Sequence, residues 1–469
     1  MSSVNVTQLY LDFEALQEDY ASFKVDVDAF WLMFGAVLVF FMQTGFGMLE
    51  VGCIQWKNVK NILIKNVFDA SLGAIVWWSI GFGVAMGKDD YVSDGSNGFI
   101  GRDLFFMTTD TFRGGPNSDK GYAWAGWLFQ WAFAATTATI VTGSVAERIT
   151  FSAYLVYAFC LVSFVYPCVV HWGWNANGWA SAWREEDLLF GCGVLDFAGS
   201  GVVHTTGGVV ALWGAKILGP RTGRFINGQK QEFKEVSPIY QTLGTLILWF
   251  GWYGFNGAST LYIGGYSAPA ARAMVTSTIS AGAGCISSVL LAKLHTGIID
   301  PGAANNGILG GLVSITASCS VVDPEGAFVI GLIGGVIYYF SALLLLRLQI
   351  DDVVNASPVH MFCGVWGVLA SGLFASEAPY GAAYYSARQS KCAGAFYGGD
   401  GSQFAANLAF ILAVLAWSTT WGCIIFFACD KIPFIGLRVD LEVEEMGMDS
   451  SKHGGAVDGA TQKKGEGLA

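Results

Sequence analysis

Charge is what this 469-residue sequence has least of. Asp, Glu, Lys and Arg together make up 13% of it, against about 25% in soluble domains, which argues against a soluble enzyme. Acids outnumber bases 36 to 25 and no run of basic residues occurs, so nucleic acid is a poor partner. Histidine is scarce too. Its five copies stand nowhere at i, i+3 or i+4 spacing, and HExxH and GxSxG are missing, so the sequence names no metal, cofactor or nucleophilic triad. Paired Asn-Pro-Ala strings of a water channel are absent, and Gly81-x-Gly83 and Gly310-Gly311 lack the Lys-Ser or Lys-Thr that would follow in a phosphate loop. The ten Cys include no C-x-x-C pair. Most lie in apolar stretches, where they are expected to act as small buried hydrophobes rather than disulfides or metal ligands; Cys192 and Cys392 alone fall in long polar loops.

Apolar residues supply the other half of the picture. They amount to 53% of the chain, with 34 Phe, 17 Trp, 17 Tyr and 61 Gly, and the mean hydropathy is +0.49. Crossing a ~30 Å hydrocarbon core takes about 20 apolar residues. Eleven such stretches are present, near 31–54, 66–87, 123–145, 151–172, 197–216, 240–259, 272–292, 303–320, 326–346, 359–376 and 404–428. The expected fold is therefore an all-α polytopic membrane protein of eleven transmembrane helices, flanked by an N-terminal segment (1–29) and a polar tail (430–469). The N-terminal segment has no basic, cleavable leader. Positive charge is retained on the cytoplasmic side, and an outside N-terminus divides the 25 Lys and Arg into sixteen inside and nine outside. This predicts N-out, C-in, with the sequon Asn5-Val6-Thr7 facing outward and the plasma membrane as the default location.

Two spans carry matching strings: Val203-His204-Thr205-Thr206-Gly207-Gly208-Val209 and Val359-His360-Met361-Phe362-Cys363-Gly364-Val365. Both read V-H-x-x-x-G-V, in spans five and ten. Because five is odd, the second group of five must enter the membrane from the opposite side, a 5+5 inverted repeat with one extra helix. Such repeats place a shared site near the midplane, and ionisable groups at that depth are costly and mark function. The alternative for each histidine is a helix-packing hydrogen bond. His171 reads as an interfacial residue, His295 as part of an inner loop and His453 as part of the tail.

The runs Phe129-Gln130-Trp131-Ala132-Phe133, Gly143-Ser144-Val145-Ala146-Glu147-Arg148 and Asp196-Phe197-Ala198-Gly199-Ser200-Gly201-Val202-Val203-His204 resemble the ammonium transporter (Amt/Mep/Rh) family, most of all its plant-type branch. His171-Trp172-Gly173-Trp174, Gly219 to Phe225, Phe250 to Asn256 and the tail from Gly447 to Gly455 extend the similarity over about residues 30–457. The resemblance implies a homotrimer in the lipid bilayer with one pore per subunit. By motif position it implies a phenyl gate at Phe133 and Phe255, an outer ammonium-recruiting site at Trp172 and Ser259 with Trp174 as the rival for Trp172, Phe129 one turn above Phe133, a buried acid at Asp196, and paired pore histidines at His204 and His360. Val353-Val354-Asn355 and Met361-Phe362 depart from the family pattern around the inner acids Asp351 and Asp352 and the second histidine.

On this reading ammonium is bound outside, deprotonated near the gate, and conducted as ammonia with proton co-movement past the histidines. An electroneutral ammonia channel and an ammonium sensor that transports little are the alternatives. Asp196 reads either as a helix N-cap or as an electrostatic attractor for the cation; both roles can hold at once. In the tail, Ser451 stands where the resemblance implies a regulatory hydroxyl, with Ser450 beside it, and a kinase is the implied partner.

Overall fold

The computed structural model describes residues 6–89, 97–114 and 121–455; the sequon's Asn5 and the Gly- and Lys-rich end of the tail lie outside them. Eleven helical spans occupy the expected stretches. They are α1 (Val6–Cys53), α2 (Val59–Val76, continuing through Trp77–Gly81 into Phe82–Met86), α3 (Tyr122–Ser144) and α4 (Phe151–Cys160, continuing through Leu161–Val165 into Tyr166–Trp174). Next come α5 (Ser200–Thr205 then Thr206–Leu218), α6 (Pro238–Trp252 then Tyr253–Gly257), α7 (Ser267–Thr296) and α8 (Pro301–Ile315). The last three are α9 (Pro324–Arg347), α10 (Ser357–Phe362 then Cys363–Phe374) and α11 (Ser402–Lys431). Among the described residues, seven helices are by themselves long and apolar enough to cross a membrane. The only strands among the described residues, Phe225–Ile226 and Gln229–Lys230, form a hairpin between α5 and α6, turned by Asn227 and Gly228 at positive φ, as a tight Asn-Gly turn requires.

Of the boundaries that differ from the sequence expectation, two have a clear physical reason. The first span does not begin near residue 31. Residues 6–34 contain neither Gly nor Pro, nothing interrupts the hydrogen-bond ladder, and residues 6–29 form the first half of α1. The eighth span ends at Ile315, short of its apolar run, because the next residues serve a neighbour. The carbonyls of Thr316 and Ala317 accept from the amides of Ala198 and Phe197 at 3.1 and 3.0 Å, and Ser200 Oγ bridges the Ala317 amide and the Val313 carbonyl at 2.7 and 2.6 Å. Irregular backbone at this depth is tolerated because other protein groups satisfy it.

The inverted repeat is visible in how α5 and α10 begin. Both open with a π-helical turn that carries the histidine, and in both an Asp eight residues before the histidine caps that turn. Asp196 Oδ2 accepts from the amides of Gly201 and Val202 at 3.0 and 2.8 Å; Asp352 accepts from those of Ala356 and Ser357 at 2.9 and 2.6 Å. The capped end of α5 lies on one face of the bundle, here the cup face, and that of α10 on the opposite, tail-bearing face. Gly208 lets the two helices meet: a Cβ there would stand 2.8 Å from the His360 carbonyl carbon and the Met361 Cα.

Candidate functional site

Aromatic rings form a continuous column through the centre of the bundle. At its top is a cup of about 210 Å³ whose walls include Phe129, Gln130, Phe133, Trp174 and Ser259. Phe129 and Phe133, one turn apart on α3, pack at 4.7 Å, and Trp174 meets Phe133 edge-on at 5.8 Å. Ser259 Oγ donates to the Phe255 carbonyl at 2.7 Å, leaving its oxygen lone pairs available. The floor is Phe133 stacked on Phe255 with centroids 4.0 Å apart; both side chains are fully buried.

Beneath that floor lies His204, 5.4 Å from Phe255 and 5.2 Å from Trp252, which meet each other at 5.5 Å so that the three rings pack as a triangle. Trp252 is itself fixed by donating to Thr316 Oγ1 at 2.9 Å. The Nδ1 atoms of His204 and His360 are 3.1 Å apart. At that distance one ring can donate a proton to the other's Nδ1. His204 Nε2 is buried without a partner. Gly208 approaches Met361 through its backbone. Below His360 a cavity of about 10 Å³, lined among others by Phe46, Glu50, Thr139 and Val354, has about the room of a single water.

The tryptophan assignment is corrected. Trp172 does not face the cup: its Nε1 donates to the Phe99 carbonyl at 3.1 Å and its ring packs against Phe99, Trp179 and Trp417. Two residues on, about 200° around the helix, Trp174 takes the place at the cup. Its Nε1 donates to the Asp196 carbonyl at 2.7 Å, which ties the cup wall to the cap of α5. The capping role of Asp196 is direct, since its Oδ2 is used up on two amides; Oδ1 is buried and unpartnered, and so retains an acceptor site. His171 is fully buried among protein groups, with Nδ1 donating to the Ala85 carbonyl at 3.0 Å.

Cys192, in the loop before α5, and Cys392, in the loop between α10 and α11, the two cysteines that lie in polar loops, form a disulfide on the cup face. Sequence reasoning also passed over Gln130, whose Oε1 is buried and unpartnered at the cup, and Glu50, a buried acid that accepts from Asn66 Nδ2 at 2.6 Å. A lone acid within an apolar run was the available signal for Glu50.

On the opposite face the inner acids are clamped. Asp351 accepts from Arg221 through Nε at 2.8 Å and NH2 at 3.0 Å, and Arg221 also pairs with Glu147. Burial alone would raise the Asp351 carboxyl, yet the Arg221 hydrogen bonds and charge hold it below the usual carboxylate range. The tail docks beside this clamp as two short helices, α12 (Leu441–Met446) and α13 (Met448–Lys452). Asp449, fully buried, accepts from the amides of Lys60 and Asn61 at 3.0 Å each and so caps the start of α2. Asn61 Nδ2 donates to His453 Nε2 at 2.8 Å. Ser451 is half-buried and donates to the Gly447 carbonyl at 2.8 Å; Ser450 is exposed.

With this geometry in hand, comparison with known proteins is specific. A profile of the Ammonium Transporter Family matches residues 29–457. The chain is 42% identical over 442 residues to ammonium transporter 1 member 1 of Oryza sativa subsp. japonica, covering 92% of this chain and 85% of that one. Among solved structures it superposes on a sensor Amt protein with a TM-score of 0.80 at 31% identity, over 92% of this chain and 99% of that one. It superposes on Mep2 of Candida albicans with a TM-score of 0.76 at 28% identity, over 89% and 87%.

Proposed function

The chain belongs to the ammonium transporter family, and from that premise we propose that it carries ammonium across the plasma membrane as a homotrimer with one conduction path per subunit. The observation that carries the reading is the unbroken column from the aromatic cup, through the Phe133–Phe255 pair, to the His204–His360 contact of 3.1 Å. Ammonium entering the cup meets the faces of Trp174 and Phe129 and the oxygen of Ser259. A desolvated cation over such rings gains about 2 kcal/mol or more, and four N–H donors can be shared among oxygens and rings where potassium, equal in charge, has none to give. Asp196 adds negative charge below.

Past the phenyl floor a bare cation is strongly disfavoured by its lost hydration. Neutral ammonia is not. The histidine pair offers a route for the released proton, and Glu50 lies beyond it on the cavity beneath His360. This supports ammonia and proton crossing together with net charge movement. Variants His204→Ala and His360→Ala, expressed in oocytes, are expected to lose ammonium current or selectivity against potassium; wild-type current with unchanged selectivity would refute the relay.

The N-out, C-in orientation is supported by the distribution of Lys and Arg and by the disulfide on the cup face, since such bonds persist on the oxidising side of a cell membrane. The tail is the regulatory element of this proposal. Phosphate on Ser451, placed by a kinase, removes the donor to Gly447 and adds about −1.5 to −2 charge beside the Asp449 carboxylate that holds α2, which expels the tail and closes the pores. The second reading, a sensor that transports little, is favoured by the similarity to the solved structure of a sensor Amt protein. Growth rescue of ammonium-requiring yeast separates the two: a transporter rescues and a non-transporting sensor does not.

A further inference from the structure

The helix α1 is 48 residues long, about 72 Å at 1.5 Å per residue, more than twice the ~30 Å hydrocarbon core. Its outer part, residues 6–27, cannot sit in lipid because it carries Asp12, Glu14, Glu18, Asp19, Lys24 and Asp26. It projects into water as a single helix, yet it presents a row of large apolar side chains there. Val6, Leu9, Phe13, Leu16, Tyr20 and Phe23 are 54–75% exposed, and their spacing is 3, 4, 3, 4, 3. The same alternation runs on through Val27 to Phe30, Phe34, Val37 and Phe41, of which the last four are also exposed. Six of the eight exposed large apolar residues between Val6 and Phe23 fall on this one seam.

A 3.5-residue repeat is the pattern of a left-handed coiled coil, in which each seam residue fits a hole on a facing helix. We propose that the outer half of α1 forms a parallel coiled-coil stalk with the same helix of the other copies of this chain, on the cup face of the homotrimer proposed above, on which this inference rests. Every copy enters the membrane in the same orientation and α1 continues without a break into the bundle, so neighbouring α1 helices can meet only in parallel and near register. In that register the positions flanking the seam are complementary. Asp19 of one helix faces Lys24 of the next, and Asp12 faces Gln17. The seam itself holds no charged residue. A lipid surface is a poorer occupant for the same face, because the helix bears five acids and a single base between residues 6 and 27.

The test is single-cysteine cross-linking of the full chain in native membranes under mild oxidation, with the unsubstituted protein as control. Leu16→Cys and Phe23→Cys, on the seam, are expected to move most of the protein to a disulfide-linked two-chain band; Glu18→Cys, on the far face of the same turn, is expected to match the control. Asp19→Lys is expected to slow cross-linking of the Leu16→Cys variant, and adding Lys24→Asp to restore it. Cross-linking at position 18 as fast as at 16, or none at either seam position, overturns the stalk. The size of the detergent-solubilised complex separates the layers. A trimer that fails to cross-link at 16 and 23 refutes the stalk and leaves the homotrimer standing, whereas a monomer refutes both.

Discussion

Removing the charge of Asp196 while keeping its shape distinguishes its two roles. In the structure Oδ2 accepts from two amides, at 3.0 and 2.8 Å, at the opening of α5, and the adjoining carbonyl holds Trp174 at 2.7 Å. Asp196→Ala strands both amides, at a cost of ~1–3 kcal/mol apiece, and displaces the histidine helix and the cup wall together; it is expected to reduce folding and surface expression. Asp196→Asn keeps an oxygen for the amides and so keeps the fold, but it deletes a full negative charge beneath the cup. A unit charge acting over ~5–10 Å at an effective dielectric of about 20 contributes about 2–3 kcal/mol, or roughly 30–150-fold in cation occupancy. Uptake of radiolabelled methylammonium below saturation, normalised to protein at the cell surface, reads that occupancy. The Asn variant is therefore expected to lose uptake by one to two orders of magnitude at normal expression. Wild-type uptake by Asp196→Asn would show that the residue is a cap alone and that the electrostatic argument is wrong.

The remaining predictions follow from the same contacts. Trp174→Leu is expected to raise the apparent KM for ammonium, whereas Trp172→Leu, which faces Phe99 and Trp417, lowers stability without that change; the reverse pattern would return recruitment to Trp172. Cys192→Ser, Cys392→Ser and the double variant are expected to lose the same ~2–4 kcal/mol typical of a disulfide, seen as equal falls in Tm that reductant reproduces in the wild type; a Tm insensitive to reductant refutes the cross-link. Ser451→Asp is expected to abolish most uptake and Ser450→Asp, at an exposed position, to spare it; full uptake by the Ser451 variant argues against the switch.

How much could be read in the chain alone is clearest residue by residue. The V-H-x-x-x-G-V strings pointed to His204 and His360 and to the inverted halves, because a histidine inside an apolar run is conspicuous and its repetition more so. Phe133 and Phe255 were different: with 34 Phe in the sequence, only the likeness of their motifs to a family singled them out. Trp172 and Trp174 could not be told apart, since the helix direction that separates them depends on which face of α4 packs inward. Glu50 and Gln130 went unremarked, as a single polar residue acquires meaning only from the cavity it borders.

The sequence by itself determined that the chain spans the membrane and how many times. Lipid offers no partners to the backbone, so each span must satisfy its own hydrogen bonds as a helix, and that requirement is written locally in runs of apolar residues. Only the tertiary structure decided what those helices bring together: two imidazoles 156 residues apart in sequence, two cysteines 200 apart, and the end of α8 that unwinds to bond the loop before α5. Such meetings depend on crossing angles and close approaches such as that at Gly208, which emerge from the packing of all eleven helices and from no local stretch of chain.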